Sequence, residues 1–199
     1  FVPSSSTYTK LKDISSNETG TNVSGSLVRA RDKKLYGMTA NGGSNNSGVI
    51  FSFDPSSSTY KKLKDFDGKN GARPSGSLIQ ANDGQLYGIT LNGGSSDRGV
   101  IFSFDPVTNN LTVLKSFDSL VSGLSGNLIQ ARDGKLYGMA FTGGINGLGV
   151  IFSFDPLSST YTKLTDFDYS NDYSPGYFPR GSLIQASDGK LYGTASFGG

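Results

Sequence analysis

The chain has 199 residues, 28 of them glycine, with no cysteine, no histidine and a formal charge of +2. That charge is spread along the length without a basic patch, which excludes a nucleic-acid surface. The missing cysteines exclude a disulfide framework, thiolate chemistry and a cysteine metal site, and no run approaches the roughly 18 apolar residues of a membrane-spanning helix.

Glycine stands at about twice its usual share of roughly 7%. Glu18 is the only glutamate, while Tyr, Phe, Thr, Val and Ile are plentiful, a balance that favours many short strands over helices. The first residues lack a signal-peptide pattern, so Phe1 reads as an internal or mature start. Phe1-Val2-Pro3-Ser4-Ser5-Ser6-Thr7-Tyr8 matches Phe53-Asp54-Pro55-Ser56-Ser57-Ser58-Thr59-Tyr60. The chain is thus expected to open at the tail of a third strand and to run into a fourth.

Complete repeats follow at about 25–66, 76–117 and 126–167, with Leu-Tyr-Gly tyrosines at 36, 87, 137 and 192. A fixed period near fifty residues is the mark of a repeat architecture. Each repeat reads as four strands. The first, as in Leu78-Ile79-Gln80-Ala81, is apolar and preceded by Gly and Ser, which suit a crowded place of convergence.

The second strand, around Tyr87, follows Asp83-Gly84, and Asp133-Gly134 and Asp188-Gly189 recur at that place. These pairs predict a two-residue type I′ hairpin. The first repeat has Asp32-Lys33 there, so its turn should differ or carry strain. A Gly-Gly loop leads to the third strand, Val100-Ile101-Phe102-Ser103-Phe104, apolar on both faces as between two other sheets. Pro106 ends it. The fourth strand carries Lys61, Lys62 and Lys64 around Leu63, which marks an outer edge.

The chain closes at Gly198-Gly199, just after a second strand. Between that glycine pair and the matching phenylalanine, each internal copy has nine residues (43 to 53, 94 to 104, 144 to 154). The ends, 1–14 and 181–199, would together form a fourth, split unit lacking most of its third strand. The expected architecture is an all-β propeller, one domain over 1–199, of about four four-stranded antiparallel blades, one of them split between the chain ends.

The motif Leu-Ile-Gln-Ala-x-Asp-Gly-x-Leu-Tyr-Gly, then Gly-Gly, then Gly-Val-Ile-Phe-Ser-Phe-Asp, resembles the tandem repeat called GloVer. That repeat occurs in large, predicted secreted bacterial proteins and is more distantly similar to kelch. The resemblance spans essentially the whole chain and departs at Val28-Arg29 and Asp32-Lys33-Lys34. It implies a propeller blade and no particular chemistry.

Without histidine or cysteine, the common nucleophile–base pairs and metal sites cannot be built. A pair of aspartates could still serve a hydrolase. The aspartates, however, recur at turns: Asp54, Asp105 and Asp155 before proline, and Asp83, Asp133 and Asp188 before glycine. There they serve as acceptors for turn backbone, so no enzyme, catalytic residue or cofactor is expected.

Asp65-Phe66-Asp67-Gly68-Lys69-Asn70-Gly71 and the segment from Asp166 to Asp172 resemble incomplete calcium loops; no metal site is expected. Tyr36, Tyr87, Tyr137 and Tyr192 could stack sugars but suit sheet-to-sheet packing better. Asn17, Asn22, Asn45 and Asn110 match the glycosylation sequon, unsurprisingly in so Asn- and Ser-rich a chain.

Gln80, Gln130 and Gln185, with Arg29 at the equivalent place, would ring a central channel, and are the candidate ligand-binding residues. The expected function is a non-enzymatic structural and interaction module, extracellular or on the cell surface. Its expected partners are other copies of itself or flanking repeats, in a longer array or fibre, and no nucleic acid. The alternative is a lectin-like propeller that binds a glycan or a protein.

Overall fold

A computed structural model describes residues 3–118, 121–168 and 176–198. It is all-β, with no helix among the described residues. β1 (Thr21–Arg29), β2 (Leu35–Asn41), β3 (Val49–Asp54) and β4 (Thr59–Asp65) form the first sheet, in that order. β5 (Ala72–Gln80), β6 (Leu86–Asn92), β7 (Val100–Phe104) and β8 (Leu111–Ser116) form the second. β9 (Val121–Gln130), β10 (Leu136–Gly143), β11 (Val150–Asp155) and β12 (Thr160–Asp166) form the third. β13 (Tyr177–Gln185) and β14 (Leu191–Phe197) pair as a hairpin. Every pairing is antiparallel, so each four-stranded sheet is a simple meander.

The three sheets repeat one register. Gly37, Gly88 and Gly138 face Phe51, Phe102 and Phe152 across the ladder. A Cβ on any of these glycines would meet the tip of that ring, at 2.5, 2.6 and 2.5 Å respectively. The glycine is the seat that lets the ring lie flat on the sheet.

Sheets pack face to face through two kinds of surface. Tyr36, Met38, Ile50 and Phe66 of the first sheet bury Leu78, Leu86, Phe102 and Phe104 of the second. Tyr87, Ile89, Ile101 and Phe117 of the second bury Leu128, Leu136, Phe152 and Phe154 of the third. Phe66, Phe117 and Phe167 follow the fourth strands and each donates its N–H to the glycine before the third strand, at 3.0 Å. Burying such rings stabilises the contact between sheets.

The first strands β1, β5, β9 and β13 lie successively side by side, as expected for the place of convergence. Gly25, Gly76, Gly126 and Gly181 make this approach achievable. Each takes a positive φ, 64°, 67°, 70° and 79°, and a Cβ on any of the first three would run into the next glycine of the row. Exposure, though, does not rank inner above outer strands. Leu63 and Leu114 are half-buried, whereas Ile184 is 63% exposed against 50% for Leu164, because among the described residues no sheet covers the outer face of the last hairpin.

Two expectations change. The Asp-Gly turns are not two-residue type I′ hairpins. Gly84 N–H donates to Ala81 O and Ala81 N–H to Gln85 O, both at 3.0 Å, so three residues make the turn and only Gly84 has a positive φ. The Asp83 carboxylate prefers this form because it accepts from Gln85 N–H at 3.0 Å. Lys33 adopts the same turn with φ 70°, which is the strain expected in the first repeat.

Second, the two ends of the chain share no sheet among the described residues, and the sheets do not close into a ring. Residues 8–14 form no strand, despite matching β4. Tyr8, Leu11 and Ile14 instead lie over Leu27, Phe51, Phe53 and Tyr60, enclosing a groove of about 340 Å³. Lys12 caps it with its ammonium 5.5 Å from the Tyr60 ring.

Candidate functional site

Gln80, Gln130 and Gln185 do come together, in a depression of about 530 Å³ that Asn82 and Arg132 also line. Arg29 is exposed and outside it. The glutamines occupy the ends of β5, β9 and β13, pointing at the preceding sheet. The Gln80 side-chain oxygen accepts from Arg31 N–H at 2.8 Å, that of Gln130 from Asn82 N–H at 2.8 Å, and that of Gln185 from Arg132 N–H at 2.9 Å. Each amide nitrogen donates at 2.8 Å to a turn carbonyl of its own hairpin, Gly84, Gly134 or Gly189. Both ends of every amide are therefore engaged within the protein.

A second row runs parallel to the first. Ser26 N–H donates to Ser77 Oγ (2.7 Å), Ser77 N–H to Asn127 Oδ1 (2.6 Å) and Asn127 N–H to Ser182 Oγ (2.9 Å). Arg31 and Arg132 add guanidinium bonds to carbonyls of the next sheet, Asn82 at 3.0 Å and Ser187 at 3.3 Å. What these two rows do chemically is tie each sheet to the next.

The tyrosines are equally committed. Tyr36, Tyr87, Tyr137 and Tyr192 donate to Asp32, Asp83, Asp133 and Asp188 at 2.6–2.8 Å. Burial, then the bond to its aspartate, pushes the Tyr36 and Tyr87 phenols well above the ordinary range. Tyr36 and Tyr87 are packed between sheets, and Tyr192 alone of the four is exposed. Asp54, Asp105 and Asp155 accept from backbone N–H groups two residues on, at 2.8–2.9 Å, and hydrogen bonds hold their carboxyls low.

The first loop resembling a calcium site is closed on itself. Asp67 N–H donates to Asn70 Oδ1 at 2.9 Å, and Asn70 N–H returns to Asp67 Oδ1 at 2.8 Å. The second lies partly outside the described residues. Among those described, no cluster of three carboxylates could hold an ion, and no helix is long and apolar enough to cross a membrane.

Between the second and third sheets, Lys115, Phe117, Ile145, Tyr161 and Lys163 line an outer cavity of about 370 Å³. Burial pushes the Tyr161 phenol up to about 12, the Lys115 ammonium lies 5.2 Å from its ring, and Lys163 is paired with Asp166 at 2.6 Å.

Sequence reasoning passed over the sheet faces at the two ends of the stack. At one end Leu27, the counterpart of Leu78, is exposed, while Phe51 and Phe53, the counterparts of Phe102 and Phe104, are buried on the face that residues 8–14 cross. At the other, the β13–β14 hairpin exposes Ile184 and Tyr192, the counterparts of Ile79 and Tyr87. The signal was available in the third strand, whose two apolar faces imply a neighbour on each side.

No curated protein matches the sequence. In fold, the chain is similar to the extracellular domain of a proposed one-component system from B. thetaiotaomicron, with a TM-score of 0.62 and 14% identity, over 87% of this chain and 20% of that one. It is also similar to TolB from Acinetobacter baumannii, with a TM-score of 0.54 and 20% identity, over 86% of this chain and 38% of that one. The chain thus spans well under half the length of either structure, and the shared fold is propeller-like. The Gloeobacter/Verrucomicrobia repeat matches residues 1–127, the first two sheets and the start of the third, and the chain belongs to that repeat family.

Proposed function

We propose that this chain is a non-enzymatic, extracellular structural and interaction module: a stack of propeller blades that docks further blades of its own kind at its ends. The observation that carries this reading is the apolar surface of the last hairpin, where Ile184 and Tyr192 are exposed. Their counterparts Ile79 and Tyr87 pack against the third sheet in the interior. Apolar faces of this composition, left in water, recruit a partner, and a head-to-tail pairing of unlike faces propagates into an array or fibre.

The repeat family and the extracellular domain among its structural relatives support this setting. The lectin-like alternative loses support because the glutamine amides of the central depression are already bonded. Sedimentation of the 199-residue chain over a wide concentration range tests the proposal. The mass should rise with concentration and fall back in Leu27→Glu and Tyr192→Asp, whose wild-type side chains are exposed. A concentration-independent monomer would defeat it.

A further inference from the structure

Asparagine is followed by glycine at Asn41-Gly42, Asn70-Gly71, Asn92-Gly93 and Asn146-Gly147. In this dipeptide the glycine nitrogen can attack the asparagine side chain with no Cβ to obstruct the approach. The attack needs a carboxamide that can turn toward the backbone and a glycine N–H that is not firmly held elsewhere. The fold withholds at least one of these at the first three places and neither at the fourth.

Asn41 Oδ1 accepts from Asn22 Nδ2 at 2.9 Å, and Gly42 N–H donates to Asn46 Oδ1 at 2.9 Å. Gly93 N–H donates to the Asp97 carboxylate at 2.6 Å. Asn70 is held at both ends of its carboxamide, by Asp67 N–H at 2.9 Å and by the Asp65 carbonyl at 3.4 Å.

Asn146 differs. It is exposed in the loop from β10 to β11, and its carboxamide has no hydrogen bond among the described residues. Gly147 N–H makes only a long bond of 3.3 Å to Gly144 O, and the space where a Cβ of Gly147 would lie is open. The cause is a substitution within the repeat. Gly147 stands where the first two loops have Asn46 and Asp97, all three with positive φ, and it has no side chain to cap the loop as those two do.

We infer that Asn146 is a site of self-catalysed deamidation. Gly147 N bonds to Asn146 Cγ and gives up its proton to solvent base. The Cγ–Nδ2 bond breaks and ammonia leaves, which closes a five-membered succinimide. Water then opens the ring at either carbonyl, leaving an aspartate or an isoaspartate, with no oxidant or reductant required. Either product adds a negative charge to a loop that also holds the last hairpin, since Leu148 O accepts Phe178 N–H at 2.8 Å and Gly149 lies against Pro179. Isoaspartate in addition inserts a carbon into the main chain beside Gly147, and so loosens that hold.

The full chain is aged in warm, mildly alkaline buffer, both native and in urea, then digested and sequenced by mass spectrometry. Each event adds about one dalton, the exchange of NH2 for OH. In the native chain Asn146 should convert at least about tenfold faster than Asn41, Asn70 or Asn92, and in urea the four rates should converge. Asn146→Gln, whose longer side chain must close a six-membered ring, should remove the fast event. In the aged native sample Phe178 N–H should exchange with solvent faster than in the fresh one. Equal native rates at the four places overturn the inference, as does a preference for Asn146 that persists undiminished in urea. Unchanged exchange at Phe178 overturns the link to the hairpin.

Discussion

Gln80 Oε1 accepts the backbone N–H of Arg31, forty-nine residues away in the preceding sheet, at 2.8 Å. The bond recurs from Gln130 to Asn82 and from Gln185 to Arg132. It replaces water for an N–H group that follows the end of an inner strand, and it fixes the offset between neighbouring sheets.

Removing one of these ties has a predictable consequence. Gln130→Leu leaves the Asn82 N–H and the Gly134 carbonyl without their partner, in a place only partly shielded from water. The loss should be about 1–2 kcal/mol, or roughly 2–8 °C in melting temperature for a chain of this size, read by calorimetry. Arg29 stands where the first sheet would offer this acceptor to a preceding one, and a guanidinium has none. Arg29→Gln should therefore leave the melt unchanged and strengthen self-association in sedimentation. Weakened association would contradict the assignment of the staple.

The seat of each third-strand ring makes a graded series. Phe154 is fully buried, and Phe154→Ala should cost about 3–5 kcal/mol. Gly138→Ala pushes a methyl against Phe152 Cζ at 2.5 Å and should cost about 1–3 kcal/mol, the usual penalty of overpacking. Gly134 has φ 83° with open space beside it, so Gly134→Ala carries only the left-handed backbone penalty of about 1 kcal/mol. Urea unfolding of the three variants should return that order. Equal losses at Gly134 and Gly138 would mean that the ring yields freely.

The parts of this fold legible in the sequence were those written by recurrence at fixed offsets. The four-strand repeat, the two-faced Val-Ile-Phe-Ser-Phe strand and the proline that ends it all depend on local periodicity. The Asp-Gly turn was misread because the same dipeptide serves two hairpins, and the choice turns on Asp83 accepting from Gln85 N–H. Gln80, Gln130 and Gln185 stand at one place in each repeat and end β5, β9 and β13, but their partners lie some fifty residues off and depend on sheet-to-sheet offset. Residues 8–14 match β4 in sequence and yet lie across a sheet face. A strand is defined by the ladder beside it, and among the described residues no third strand adjoins this segment.

The pH dependence of stability follows from which groups the fold holds. There is no histidine, so no side chain with an ordinary pKa between pH 5 and 8 is present. On the acid side, the Ser56 hydroxyl holds the Asp54 carboxyl below its usual range, the backbone N–H groups of Val107 and Leu157 do so for Asp105 and Asp155, and the Tyr192 hydroxyl does so for Asp188. A lowered folded value means folding favours the charged form. That contribution is present above the ordinary carboxylate pKa of about 3.9 and is lost as pH falls through the folded values.

On the alkaline side, burial raises the phenols of Tyr36 and Tyr87 and takes those of Tyr60 and Tyr161 up to about 12. The bond to aspartate raises those of Tyr137 and Tyr192. A raised folded value favours the protonated form. Its contribution is complete below the ordinary phenol pKa of about 10 and disappears as pH climbs through the folded values. The melting temperature should therefore be level from about pH 5 to pH 9, decline below about 4 and decline again above about 10. Tyr87→Phe lowers the plateau by breaking the bond to Asp83, and it makes the alkaline decline shallower by removing one of its titrating groups. Thermal melts across this range provide the check, and a step between pH 6 and 8 would show that some other ionisation governs the fold.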